Sequence, residues 1–129
     1  ETITLNTRGA TQHEDDPDIT DCNLSSGQAT VWYTYTSLVD TAISLDTKTS
    51  NYDTFIAVWT GTKNDLTPVT CNDDIDSANE VYQSQVAFQV KANQLYYVEV
   101  GQYRYVEASS NDLGKTSDYI QRLMHNPAR

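Results

Sequence analysis

The run Thr54-Phe55-Ile56-Ala57-Val58-Trp59-Thr60, closed by Gly61, decides the fold. It is apolar almost without a break, too short for a helix, and built from the β-branched and aromatic residues that fill strands. Working outward, Thr41 to Asp46 alternates cleanly, with Ile43 and Leu45 turned inward. Ala29 to Thr36 is β-branched and aromatic almost throughout, as in a strand covered on at least one face. Val81 to Val90 sets Val86, Phe88 and Val90 against Gln85, Ala87 and Gln89, and Leu95 to Val100 repeats the pattern with Tyr96, Val98 and Val100. Thr2 to Thr7 alternates weakly through Ile3 and Leu5. Between these lie the turn-forming clusters 48–53, 61–65, 72–79 and 91–94, rich in Asn, Asp, Gly and Lys. Short strands at this spacing predict an all-β sandwich or barrel of about seven or eight antiparallel strands. Helical periodicity is absent until Ser117–Met124, where Tyr119, Ile120, Leu123 and Met124 fit two turns or a short strand.

A length of 129 residues fits one domain, and neither an internal repeat nor a Pro-rich linker divides it. No apolar run approaches the roughly 18–20 residues that span a membrane as a helix. A net charge of -10 argues against a nucleic-acid partner, whose phosphates are bound by Lys and Arg. The charge is uneven: residues 1–100 hold fifteen acidic groups against Arg8, Lys48, Lys63 and Lys91, while residues 101–129 carry a balance of +1. The acids gather in two stretches, Glu14-Asp15-Asp16 with Asp18 and Asp21, and Asp73-Asp74 with Asp76.

Cys22 and Cys71 are too few for a zinc site by themselves. In a secreted chain such a pair reads as a disulfide, in a cytosolic one as two buried thiols. The richness in Thr, Asn, Ser and Tyr, with few Lys, favours the secreted reading. Glu1 opens directly in a polar, strand-like segment, so the expectation is a mature, processed chain. Asn23-Leu24-Ser25 matches the N-glycosylation triplet.

Several segments in order resemble the bacterial pre-peptidase C-terminal domain. They are Asn6-Thr7-Arg8-Gly9-Ala10-Thr11 followed by Asp15-Asp16-Pro17, then Val31-Trp32-Tyr33, then Asn51-Tyr52-Asp53-Thr54-Phe55-Ile56-Ala57-Val58-Trp59-Thr60-Gly61. Cys71-Asn72-Asp73-Asp74 and Leu95-Tyr96-Tyr97-Val98-Glu99-Val100-Gly101 complete the series over roughly residues 6–103. The resemblance implies a secreted, jelly-roll-like β-sandwich accessory module and supports pairing Cys22 with Cys71. Residues 1–106 are thus expected to form the sandwich. The chain departs from the family at its end, where residues 107–129 alternate poorly instead of supplying a Gly-rich turn and a last apolar strand. That segment belongs either to the same domain or to an inter-subunit contact, since a sheet missing a strand is open to strand addition from a neighbour.

Catalysis finds little support in the residues. The two histidines, His13 and His125, lie in polar terminal segments, and neither a nucleophile elbow, a zinc-binding HExxH nor a phosphate loop is present. The chain therefore reads as non-catalytic. Calcium suits the carboxylates better, because it takes about six to eight oxygen ligands. The expected set is Asp53, Asn72, Asp73, Asp74 and Asp76, with Asp15 and Asp16 as a second cluster, and a disulfide would draw the two acidic loops together. The alternative for each is a turn made through side-chain-to-backbone hydrogen bonds. Tyr97, Tyr103 and Tyr105 share strand parity with Glu99, which places them on the outer face as candidates for stacking on a ligand.

These readings converge on an extracellular binding or adhesion module for polysaccharide or surface protein, steadied by Ca2+. The competing expectation is a self-associating subunit of an extracellular filament or surface coat, completed by strand exchange.

Overall fold

The computed structural model describes residues 3–6, 10, 16–19, 22, 28–102 and 117–120. Eight strands run through them: β1 (Ile3–Asn6), β2 (Gln28–Tyr35), β3 (Thr41–Asp46), β4 (Thr54–Thr62), β5 (Asp65–Asn72), β6 (Gln85–Val90), β7 (Tyr96–Gln102) and β8 (Ser117–Ile120). A short 3-10 turn spans Ser77–Asn79. The fold is an all-β sandwich, as the alternation and turn spacing predict.

One layer is a four-stranded antiparallel sheet in the order β2-β7-β4-β5. The run 54–60 forms most of β4, paired on both sides, with Ile56 opposite Val100 of β7 and Asn72 of β5. A central strand covered on both faces has no reason to alternate in polarity, and its first six residues are all buried. The facing layer is the antiparallel pair β3-β6, in the register Ile43 to Phe88 and Leu45 to Val86. Between the layers lies the main core. Ile43, Leu45, Val86, Phe88 and Val90 on one side meet Tyr35, Ile56, Val58, Tyr96, Val98 and Val100 on the other. The rings of Phe88 and Tyr96 are tilted against each other with centroids 5.5 Å apart, an arrangement that suits the aromatic quadrupoles.

The other face of the four-stranded sheet is not bare. Phe55, Ala57 and Trp59 project there from β4 and pack with Ile19, with Trp32, Leu66, Tyr97 and the two cysteines around them. The cover is the segment carrying Ile19 and Cys22, and a disulfide joins Cys22 to Cys71 on β5 across a sequence separation of 49. Cys22 also donates its amide to the Ile19 carbonyl at 3.1 Å.

Between the turn-forming clusters 61–65 and 72–79 lies a strand that alternation does not mark, β5 over Asp65–Asn72. This is an edge strand, where proline is tolerated because one side makes no ladder, and Pro68 faces Trp59 across the pair. Gly61 near the hairpin has φ 98, and a Cβ there would collide with the Asp65 carbonyl oxygen. At the far end of the chain, β8 is a strand and not the two helical turns that periodicity allowed. It pairs antiparallel with β1, Ile3 opposite Ile120 and Asn6 opposite Ser117, so the atypical tail contributes a strand to its own chain.

Candidate functional site

Two places draw functional side chains together. The first is at one end of the sandwich, where a cluster of buried hydroxyls organises the loops. Thr47, Thr54 and Ser84 are fully buried. Thr47 and Thr54 share a hydrogen bond of 2.6 Å between hydroxyls, and Thr54 and Ser84 share another of 3.0 Å. The Ser84 amide donates to Thr47 Oγ1 at 2.9 Å, and the Ser84 hydroxyl reaches the carbonyls of Thr54 and Asp73. Buried polar groups are costly unless paired, and here the pairing pins the head of β4 against the loop that follows β5.

That clamp carries Asp53 and Asp73 toward one another. Carboxylate oxygens of Asp53, Asp73 and Asp74 all lie within 4.8 Å of one another, and each residue is half-buried. Oδ1 of Asp74 is buried and without a hydrogen-bond partner among the described residues. Three carboxylates converging on a half-buried point, one with an orphaned oxygen, form a donor set that suits a hard cation such as Ca2+.

The other expected metal residues have different places. Asn72 uses its amide to build the turn, donating to the Asp74 carbonyl at 3.2 Å and accepting from the Gln85 amide at 3.0 Å. Asp76 caps the 3-10 turn, accepting from the backbone and side-chain nitrogens of Asn79. Asp16 accepts the Thr30 hydroxyl at 2.8 Å and does not join the three carboxylates. Asp15, Tyr103 and Tyr105 lie outside the described residues.

The second place is the covered face of the four-stranded sheet. An open cleft of about 400 Å³ is lined there by Trp32, Thr34, Leu66 and Tyr97, with Asp16 and Lys63 among the polar groups at its walls. Tyr97 and Trp32 belong to neighbouring strands of the register, Thr34 opposite Tyr97 and Trp32 opposite Glu99, so the two rings stand on one face. Tyr97 is on the face its parity predicted, half-buried against the second cluster. Glu99 shares that outer face, as its parity requires, but the cover makes it fully buried.

Glu99 accepts one hydrogen bond, from Trp59 Nε1 to Oε1 at 3.3 Å. Its Oε2 is buried with no partner among the described residues. Burial first, then the nearby Asp16 charge, push its carboxyl from the ordinary 4.5 up to about 8, and the Trp59 hydrogen bond only partly opposes them. Glu99 is thus a neutral acid near pH 7.

Thr47, Ser84, Trp32 and Glu99 were not singled out from the sequence. The signal available for Glu99 was its place between Val98 and Val100 in a strand with apolar partners, where a lone acid needs a reason.

Fold and sites together define a disulfide-bonded all-β sandwich with an aromatic cleft on one sheet face and an acidic triad at one end. No protein-family model, curated protein or solved structure matches the chain.

Proposed function

We propose that this chain is a non-catalytic extracellular module that binds polysaccharide in the cleft built on Trp32 and Tyr97. The observation that carries the reading is the pairing of two flat aromatic side chains on one sheet face, in a cleft of about 400 Å³ walled by Asp16, Thr34 and Lys63. Aromatic faces stack on sugar rings, while carboxylate, hydroxyl and ammonium groups at the walls hydrogen-bond the hydroxyls at the ring edge. A disulfide fits a non-reducing compartment, which supports a place outside the cell. The resemblance to the pre-peptidase C-terminal domain points the same way, toward an accessory and not a catalytic part. Calcium at Asp53, Asp73 and Asp74 would fix the loops at the end of the sandwich and play no part in binding the sugar.

Affinity electrophoresis against a panel of soluble polysaccharides, with Trp32→Ala and Tyr97→Ala beside the wild type, tests the reading. Retardation by one or more polysaccharides that both substitutions abolish is the expected result. No retardation by any, or retardation unchanged in both variants, sinks it.

A second reading is a subunit of an extracellular filament or coat. Its support is the β1-β8 ribbon, an antiparallel pairing of strands from the two ends of the chain, since exchange of such a strand between copies would link them. Size-exclusion chromatography with negative-stain microscopy separates the readings, because a monodisperse monomer at high concentration excludes the filament.

A further inference from the structure

We propose that opposite ends of the sandwich bind one another between copies of this chain, the apolar tip Leu38-Val39 of one copy seating on the acidic hairpin 75–83 of the next. The proposal rests on the filament reading and names a contact by which copies would stack; the polysaccharide cleft does not enter it.

The topology sends three loops to one end: 36–40 between β2 and β3, 63–64 between β4 and β5, and 91–95 between β6 and β7. On the first of them Leu38 and Val39 are 73% and 63% exposed, and Leu95 on the third is exposed as well. Hydrogen bonds hold this tip in place. The Ser37 hydroxyl donates to the Val39 carbonyl at 2.8 Å, the Asn93 amide donates to the Ser37 carbonyl at 2.6 Å, and the Ala92 amide donates to Asp40 Oδ1 at 2.8 Å. Both flanks of the Leu-Val pair are thus tied to the 91–95 loop. Aliphatic side chains on an anchored backbone give up little further freedom on binding. Lys63 and Lys91 stand on the other two loops of this end, balancing Asp40 and Asp65.

The opposite end differs in charge. There the loops 47–53 and 73–84 bring Asp53, Asp73, Asp74, Asp76 and Glu80 against Lys48 among the described residues. Segment 75–83 is a small hairpin, in which the Ile75 amide donates to the Gln83 carbonyl at 2.8 Å and Asp76 bridges to Val81. It exposes Ile75 and Tyr82 together with the Glu80 carboxylate. Each end therefore offers apolar surface, one with ammonium groups and one with an excess of carboxylates, and the two are complementary. Strands of six to nine residues, at about 3.3 Å each, hold the ends about 20–30 Å apart. They cannot meet within one molecule. A contact that joins unlike surfaces propagates head to tail instead of closing a two-fold dimer. An anionic membrane would also accept an apolar tip with lysines, but it gives the exposed Ile75 and Tyr82 at the far end no partner.

Sedimentation velocity on the full chain, at rising concentration and in two salts, tests the contact. Between about 0.1 M and about 1 M salt the screening length falls from about 10 Å to about 3 Å, so the wild type should self-associate at the lower salt and less at the higher. Leu38→Asp and Tyr82→Lys, both at exposed sites and both checked for an unchanged melting temperature, should each weaken self-association about tenfold or more. Mixed, they should pair at wild-type strength and stop at the heterodimer, because one keeps the acidic hairpin and the other keeps the apolar tip. Glu80→Lys, also exposed, repeats the second arm should Tyr82→Lys unfold. Association as strong as wild type in both variants, or a mixture that gains nothing over its parts, overturns this contact while the strand-exchange filament stands. A wild type that stays monomeric overturns both. If that monomer sediments with phosphatidylserine vesicles and Leu38→Asp does not, the tip belongs to a lipid surface.

Discussion

Replacing Glu99 by Gln should make the protein more stable in neutral solution, by an amount that grows with pH until about 8 and is constant above it. The unfolded chain has released this proton above about pH 4.5, while the folded chain keeps it until about 8. Between those values folding takes up a proton, so stability falls as pH rises, by about 1.4 kcal/mol per pH unit. From pH 5 to pH 7.5 the wild type should therefore lose about 3 kcal/mol that the glutamine variant keeps. Gln preserves an oxygen to accept from Trp59 Nε1, so at pH 5 the two proteins should agree within about 1 kcal/mol. For a chain of this size the divergence amounts to a melting difference on the order of 10 °C at pH 7.5. Urea unfolding at several pH values, followed by Trp fluorescence, measures it directly. A wild-type-minus-variant difference that does not change between pH 5 and 7.5 would refute the buried, protonated carboxyl.

The other expectations concern the staples of the fold. Breaking the disulfide as Cys22→Ser with Cys71→Ser, across a separation of 49, should cost about 4 kcal/mol by loop entropy, read as a lower urea midpoint. Leu45→Ala, at a fully buried site in the main core, should cost about 2–5 kcal/mol in the same assay. Millimolar calcium should raise the melting temperature over EDTA, and Asp74→Asn should remove most of that rise; an identical melting point in both buffers excludes the triad as a calcium site.

Much of the fold was legible because burial on one side leaves a period of two. Thr41–Asp46 matches β3 to the residue, and Val86, Phe88 and Val90 are inward as the alternation requires. The failures come from strands that do not meet that condition. β5 fully buries none of its residues, lies at a sheet edge and carries Pro68, so alternation does not mark it. β4 is buried on both faces, so its sequence announces a strand but not which residue faces which layer. The same two-sidedness hid Glu99: strand parity assigns it correctly to the outside of the sheet, but parity is silent about a cover supplied by a segment some eighty residues earlier. The triad was half legible. Asp73 and Asp74 announce themselves as neighbours, and Asp53 reaches them through Thr47, Thr54 and Ser84, whose hydroxyls look in sequence like any others in a Thr- and Ser-rich chain.

The link from Cys22 to Cys71 has one more consequence. It ties the covering segment to an edge strand of the sheet, only a few residues from Asp16. Should denaturant strip away the packing of Ile19, the bond still keeps that segment beside β5. The packing then re-forms within one molecule, at an effective concentration on the order of millimolar that does not depend on how dilute the protein is.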